Sequence, residues 1–166
     1  MIELETLAKI PLFYDVNSEA LAYLQPRFKQ LLVNKGTVII KENTEGDQIY
    51  ILVKGIVQVT KDLVKGFDED QLLTEKVLAK LSADSLPTFG ENGVLGNGTR
   101  MANIIALSDC ELYTLSKADF DNFAEYNYQA GYIVMKNIAR KLSESLKDTD
   151  ENLVKLATAL YIAVQG

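Results

Sequence analysis

The spacing of apolar residues changes twice along this 166-residue chain and divides it into three parts. Over residues 4–30, apolar residues recur three or four positions apart, which is the period of an α-helix with one buried face. Residues 31–116 carry short runs of β-branched and aromatic residues separated by turn dipeptides, which predict short strands. From residue 117 onward the helical period returns. The pattern predicts a mainly β unit with helices before and after it.

The N-terminal part is predicted to form two helices. Pro11 ends the first helical run, and Ser18 is the expected N-cap of a second helix over Glu19–Gln30. Pro26 is expected to kink or end that helix. Its predicted buried stripe consists of Leu21, Leu24, Phe28 and Leu31.

Turn dipeptides cut the middle part into short predicted strands. They recur at a spacing of about ten residues, which is typical of a sandwich, a barrel or a jelly roll. Segments 57–65 and 72–81 are predicted to pair as a hairpin around an acidic tip at residues 66–71. The last predicted strands are Ile104–Ala106 and Glu111–Leu115.

The C-terminal part begins with a helix start signal. Ser116 is the predicted N-cap, because Asp119 follows it three residues later in the manner of a capping box. Phe120 and Phe123 are predicted to face inward. A second helix is predicted to begin near Asn127. At Asp148 two alternatives stay open: one long helix bends there, or two helices meet there.

Apolar residues after position 141 nearly keep a heptad spacing. They are Leu142, Leu146, Leu153, Leu156, Leu160 and Ala163, with Thr149 as the polar exception. Such a stripe must be buried, either by folding back on the β unit or by packing on a second subunit. We predict a homodimer formed partly by these helices. The predicted organisation is a domain over residues 1–147 (helices 4–30, β unit 31–116, helices 117–147) and a C-terminal helical extension over residues 148–166.

Composition narrows the class of function. The hydrophobic fraction of 48% and the charged fraction of 24% are ordinary for a soluble globular protein. The chain has no histidine and one cysteine, Cys110, which we predict to be a buried, unreactive thiol. The usual nucleophile–base pairs and metal clusters are therefore missing from the sequence. We predict no catalytic residues, no metal site, no cofactor and no enzymatic activity.

Net charge and hydropathy limit the kinds of partner that we expect this protein to bind. The net charge is −6, and no Lys/Arg cluster offsets it, so we predict no nucleic-acid binding and no measurable duplex DNA binding near physiological salt. No apolar run reaches the roughly 18 residues of a membrane span. The N-terminus lacks the charged and apolar regions of a signal peptide. We therefore expect a cytoplasmic protein that does not associate with a membrane.

The most informative stretch is Phe89–Asn103. It places Glu91 and Arg100 nine positions apart, with glycines at 90, 93, 96 and 98. An arginine can form two charge-assisted hydrogen bonds to a phosphate, and bare backbone N–H groups on glycine-rich turns can add more. A glutamate accepts hydrogen bonds from a hydroxyl pair such as that of a ribose. The stretch favours a nucleotide site, and the alternative is a surface loop with a salt bridge.

Several short motifs resemble a known family in their order and spacing. They are Leu7–Phe13, Lys35-Gly36, Glu42, Gly46-Asp47, Tyr50–Leu52, Gly55–Val57, Phe89–Glu91, Arg100, Cys110–Leu112 and Ala139–Leu142. Over about residues 5–147 the chain resembles the cyclic-nucleotide-binding domains of the family that includes the catabolite activator protein and the regulatory subunit of cyclic-AMP-dependent protein kinase. The resemblance implies a β-roll, which is a jelly-roll barrel, with N-terminal helices and long C-terminal helices.

The resemblance also implies roles for individual residues in binding cyclic AMP or cyclic GMP. Glu91 accepts from the ribose 2′-hydroxyl, Arg100 pairs with the cyclic phosphate, and Gly90 is the glycine before the glutamate. Backbone donors to the phosphate are expected near Gly93, Met101 and Ala102. Ser145 occupies the position of a hydroxyl residue that contacts the base.

The chain departs from the family pattern at several positions. Asn92 stands where a leucine is usual, and Asn43 where a glycine is usual. Ser85–Thr88 lacks a glycine, and Met101 and Asn103 replace small or hydroxyl residues. Two functions follow. The first is a sensor that binds a cyclic nucleotide and regulates a partner in trans through its C-terminal helices. The alternative is a degenerate member that serves as a protein-interaction module without a nucleotide.

Overall fold

The computed structural model describes residues 1–62, 75–96 and 98–165. The acidic tip predicted at residues 66–71 lies outside the described residues. The α-helices are α1 (Leu4–Lys9), α2 (Ser18–Leu24), α3 (Asn92–Leu95), α4 (Lys117–Tyr126) and α5 (Tyr128–Gln165). The strands are β1 (Lys29–Val33), β2 (Val38–Ile40), β3 (Gln48–Lys54), β4 (Ile56–Asp62), β5 (Glu75–Ser82), β6 (Thr88–Phe89), β7 (Asn103–Ala106) and β8 (Cys110–Ser116).

The strands form two antiparallel sheets that confirm the predicted β-roll. One sheet has the order β1-β8-β3-β6 and the other has the order β2-β7-β4-β5. The predicted hairpin is confirmed in its described part, because β4 pairs with β5 and places Val57 opposite Leu81. Side chains from both sheets, including Ile40, Leu52, Phe89 and Ile104, share one buried apolar cluster. Cys110 belongs to this cluster, as predicted.

The N-terminal helices differ from the prediction in their ends. Asn17, and not Ser18, is the N-cap of α2, because the Asn17 side chain accepts a hydrogen bond from the N–H of Ala20 at 2.8 Å. The helix ends at Leu24 and not at Gln30, because Pro26 has no N–H for a further helical bond and a 3-10 turn follows. The chain then enters β1, so Leu31 is exposed and not part of the buried stripe.

A second apolar cluster joins the helices to the outer side of the roll. It contains Phe120 and Phe123 of α4, as predicted, and Ala130, Val134 and Ile138 of α5. Ser116 is the N-cap of α4, as predicted, since its Oγ accepts from the N–H of Asp119 at 3.1 Å and donates to the Asp119 carboxylate at 2.6 Å. The roll and the first three turns of α5 are thereby held in one orientation, which positions α5 next to β6 and α3.

Helix α5 is one uninterrupted helix of 38 residues, which decides between the two alternatives at Asp148. Residues 142–164 are all exposed, so the distal half does not fold back on the roll. Met135, Leu142 and Leu146 are likewise exposed, at 42%, 40% and 62%. In the described ranges, no helix has both the length and the apolar character required to cross a membrane.

Candidate functional site

A cavity of about 380 Å³ opens between the roll and α5. Apolar side chains of the roll form one part of its wall, among them Ile40, Val59, Leu81, Phe89 and Ile104. Six of the seven predicted site residues line it: Gly90, Glu91, Arg100, Met101, Ala102 and Ser145. Residues from both sides of the Phe89–Asn103 stretch therefore meet a residue of the distant C-terminal helix in one space.

Gly93 is the predicted site residue that does not line this cavity. It lines a separate cavity with Gly46 and Gly98. Its N–H donates to the carbonyl of Gly90 at 2.9 Å, so this donor is already used inside the turn that opens α3. The backbone N–H groups of Met101 and Ala102 form no hydrogen bond within the described ranges, and both residues line the cavity.

Arg100 is a buried cation that has no carboxylate partner among the described residues. The residue is only 5% exposed. Its Nη1 donates to the carbonyls of Gln48 at 3.0 Å and Gly90 at 2.9 Å. Of the carboxylates that the structure describes, none lies within 4.0 Å of the guanidinium. Removing a charge from water is costly unless an opposite charge compensates it. The arrangement therefore suits an anion in the cavity.

Three glycines make room for the guanidinium. A Cβ at Gly46 would lie 2.5 Å from Nε and 2.8 Å from Cζ of Arg100, and a Cβ at Gly90 would lie 2.7 Å from Nη1. At Gly93 a Cβ would lie 2.9 Å from Nη1. Gly90 also has a φ of +83°, which a residue with a side chain adopts only with strain. These three glycines thus admit the arginine side chain.

Glu91 is held by a contact that the sequence reasoning missed. Its Oε1 accepts from the hydroxyl of Thr88 at 2.8 Å and from the amino group of Lys141, with which it forms an ion pair. Lys141 also donates to the carbonyl of Thr88 and to its Oγ1. Lys141 belongs to α5, so the cavity wall and α5 are joined at this point. Its place on the half-buried side of an amphipathic helix is the one sequence signal that could have indicated it.

The second oxygen of Glu91 is free in the part of the chain that the structure describes. Both protein donors go to Oε1, and Oε2 forms no hydrogen bond there. Since Glu91 lines the cavity, Oε2 offers an acceptor there to a hydroxyl group. The cavity can therefore hold a ligand that carries both an anion and a hydroxyl.

Two departures from the family pattern, Asn43 and Asn103, have local explanations. Asn43 has a φ of +61°, a left-handed conformation that asparagine tolerates better than most residues. Asn103 accepts from the N–H of Glu42 at 2.8 Å and donates to Asp62 at 2.9 Å, so it is fully used in the roll. Leu86 takes a φ of +46° in the segment without glycine.

Asn92 differs from what the sequence suggested. The family position implies a residue among apolar neighbours, where an unpartnered asparagine costs about 1–3 kcal/mol. In the structure Asn92 is half-buried at the start of α3 and lines the cavity. Its amide is thus a polar part of the cavity wall, and the burial penalty does not arise in full.

The structure is a β-roll with a cavity under a long helix, and the cavity combines apolar side chains with Glu91 and Arg100. Known proteins share the fold. A family model described as "Cyclic nucleotide-binding domain" matches residues 30–127. The chain therefore belongs to the cyclic nucleotide-binding domain family. It is 33% identical over 115 residues to the cGMP-dependent protein kinase, isozyme 1, of Drosophila melanogaster, which covers 69% of this chain and 14% of that protein.

Two further relatives show the same domain in other contexts. The human potassium/sodium hyperpolarization-activated cyclic nucleotide-gated channel 2 is 32% identical over 119 residues, which is 72% of this chain and 12% of the channel. The chain thus spans only a small part of these relatives. The catabolite activator protein of Thermus thermophilus superposes with a TM-score of 0.73 at 26% identity, over 89% of this chain and 63% of that one.

The Lys141–Glu91 contact gives a testable expectation for stability. Lys141→Met should lower the free energy of unfolding by about 1–2 kcal/mol, because the buried Glu91 carboxylate loses its cationic partner. Adding Glu91→Gln should restore most of the loss, since the carboxylate is then absent as well. Urea unfolding of the single and double variants measures both effects. Lys136→Met, on the exposed side of α5, is the control. An equal loss in Lys136→Met and Lys141→Met would contradict the assignment.

Proposed function

We propose that this chain binds cyclic AMP or cyclic GMP in the 380 Å³ cavity and regulates a partner in trans. The observation that carries the proposal is the buried Arg100 guanidinium, which lines the cavity without a carboxylate partner in the described ranges. A cyclic phosphate carries the single negative charge that this site lacks. The cavity volume lies within the roughly 300–1,000 Å³ that is usual for small-molecule sites.

Each part of a cyclic nucleotide has a matching group in the cavity. Arg100 and the free backbone donors of Met101 and Ala102 bind the phosphate. Oε2 of Glu91 accepts from the ribose 2′-hydroxyl. Ser145, on α5, contacts the base. Relatives whose names include cyclic GMP and cyclic nucleotide gating support this ligand class.

Helix α5 is the element through which occupancy of the cavity would be transmitted. Lys141, Leu142 and Ser145 all line the cavity, and Lys141 is bonded to Glu91 and Thr88. A ligand that engages Glu91 therefore acts on the position of α5. The exposed remainder of that helix is the surface through which the signal would reach a partner.

Isothermal titration of the full chain with cyclic AMP and cyclic GMP tests the proposal. We expect a saturable heat with at least one of them, and weaker binding of the matching 2′-deoxy compound, because Glu91 loses its hydroxyl donor. The linear nucleotides 5′-AMP and 5′-GMP serve as controls. No heat and no change in melting temperature with millimolar cyclic nucleotide would favour the alternative, a protein-interaction module without a nucleotide.

The exposed face of α5 supports the proposed homodimer. Its heptad positions run along the whole helix and are exposed throughout: Tyr128, Tyr132, Met135, Ala139, Leu142, Leu146, Thr149, Leu153, Leu156, Leu160 and Ala163. We call this row the first seam. It lies away from Ala130, Val134 and Ile138, which pack on the roll. Pairing with the first seam of a second copy removes this apolar row from water.

A charge in the first seam should break the dimer. Leu146→Glu places a carboxylate on the seam, where pairing would bury it, and we expect the variant to be monomeric at 18.4 kDa. Wild type should exceed this mass at least about twofold at micromolar concentration. Light scattering measures both. A wild-type mass of one chain at every concentration would rule out the dimer.

A further inference from the structure

The last three turns of α5 carry a second apolar row beside the first seam. Within residues 153–164 the first seam contains Leu153, Leu156, Leu160 and Ala163. The second row contains Val154, Ala157, Tyr161 and Val164, and we call it the second seam. Both have the spacing of three, four and three residues that is typical of a helix–helix contact. All eight residues are exposed, and Val154, Tyr161 and Val164 are exposed by 65%, 64% and 78%.

The two seams point in different directions. An α-helix has 3.6 residues per turn, so rows offset by one residue face directions about 100° apart. A two-stranded pairing covers only the first seam and leaves the second in water. In a square arrangement of four helices, each helix meets two neighbours about 90° apart, which is close to the angle between the seams. Two apolar seams at this angle fit a four-helix contact.

The second seam is confined to residues 153–164 of α5, which we call the tip of the helix. Followed toward the roll, the same row continues as Asp150, Lys147, Ser143 and Arg140, which are polar or charged and exposed. The first seam by contrast continues back to Tyr128. The proximal part of α5 is therefore built for one helical partner, and residues 153–164 are built for two.

We propose that the tips of α5 from two homodimers join in a four-helix assembly through the second seam. The inference rests on the proposed homodimer. The occupant is a second pair of copies of this chain, because both seams are apolar and can pack against themselves. Lys155 is the one charged residue within 153–164, and it lies outside both seams, so no like charges meet. Ala157 is small enough to let a neighbouring helix approach closely.

Sedimentation of the full chain and single variants tests this assembly. At tens of micromolar we expect wild type to have about four times the 18.4 kDa chain mass. Tyr161→Glu and Val154→Glu place a carboxylate in the second seam and should halve that mass to a dimer. Lys155→Glu introduces a carboxylate next to Val154 but outside both seams, and this variant should stay tetrameric. Far-ultraviolet circular dichroism checks that each variant keeps its helix content.

The outcomes separate this proposal from the homodimer on which it rests. A wild-type dimer whose mass does not change in Tyr161→Glu would overturn the four-helix assembly and keep the dimer. A wild-type monomer would overturn both. A wild-type tetramer that persists in both Val154→Glu and Tyr161→Glu would show that the second seam is not the contact, and it would also overturn the proposal.

Discussion

Arg100→Ala should remove most of the stabilisation that a cyclic nucleotide gives to this protein. A ligand at a hundred times its dissociation constant stabilises the native state by about 2.7 kcal/mol. For a domain of this size that corresponds to an upward shift of several degrees in the melting temperature. Without the guanidinium, the cations that still line the cavity are Lys61 and Lys141, which are already paired with Glu42 and Glu91, so most of the shift should disappear. Thermal unfolding with and without millimolar cyclic AMP or cyclic GMP measures it.

The free protein should respond much less to Arg100→Ala. The variant loses the two hydrogen bonds to the carbonyls of Gln48 and Gly90, but it also loses a buried charge without a carboxylate partner in the described ranges. These effects oppose each other. Arg140→Ala, at an exposed position of α5, is the control and should keep the full ligand shift. If Arg100→Ala keeps the shift as well, the ligand binds elsewhere.

Gly93→Ala should destabilise the fold itself. A Cβ at this position would lie 2.5 Å from the backbone oxygen of Gly46 and 3.0 Å from the backbone nitrogen of Gln48. Backbone atoms cannot move aside as a side chain can, so the turn before α3 must shift. Overpacking of this kind costs about 1–3 kcal/mol, and we expect the melting temperature of the free protein to fall by several degrees.

Two other glycines provide matched comparisons. At Gly46 the three nearest atoms to an added Cβ all belong to the Arg100 side chain, so Gly46→Ala should displace the guanidinium and weaken nucleotide binding with little loss of stability. At Gly96 the nearest atom is 3.7 Å away, so Gly96→Ala should change neither property greatly. Equal melting temperatures for Gly93→Ala and Gly96→Ala would contradict this account of the turn.

Local sequence patterns predict most of the helices and strands and the identity of two central site residues, Glu91 and Arg100. The capping pair Ser116 and Asp119, the hairpin of β4 and β5, and the spacing of Glu91 and Arg100 all involve residues close together in the chain, where period and turn chemistry act directly. The sequence predicts the start of helix α2 less accurately. Asn17 and Ser18 are both good caps, and local sequence does not decide which of two neighbours has the extended backbone that a cap needs.

The sequence by itself determined the family, the order of strands and helices, and the residues that could meet an anion and a hydroxyl. The tertiary structure alone decided how those residues are held. Arg100 is buried because Gly46, far away in the chain, leaves room for its guanidinium, and Glu91 is paired because α5 brings Lys141 across the cavity. Such contacts depend on how elements distant in the chain pack together, and the local spacing of apolar residues does not indicate them. The tertiary structure also decided that the distal half of α5 is exposed. The sequence of an apolar row is the same whether the β-roll, a second copy or water lies beside it.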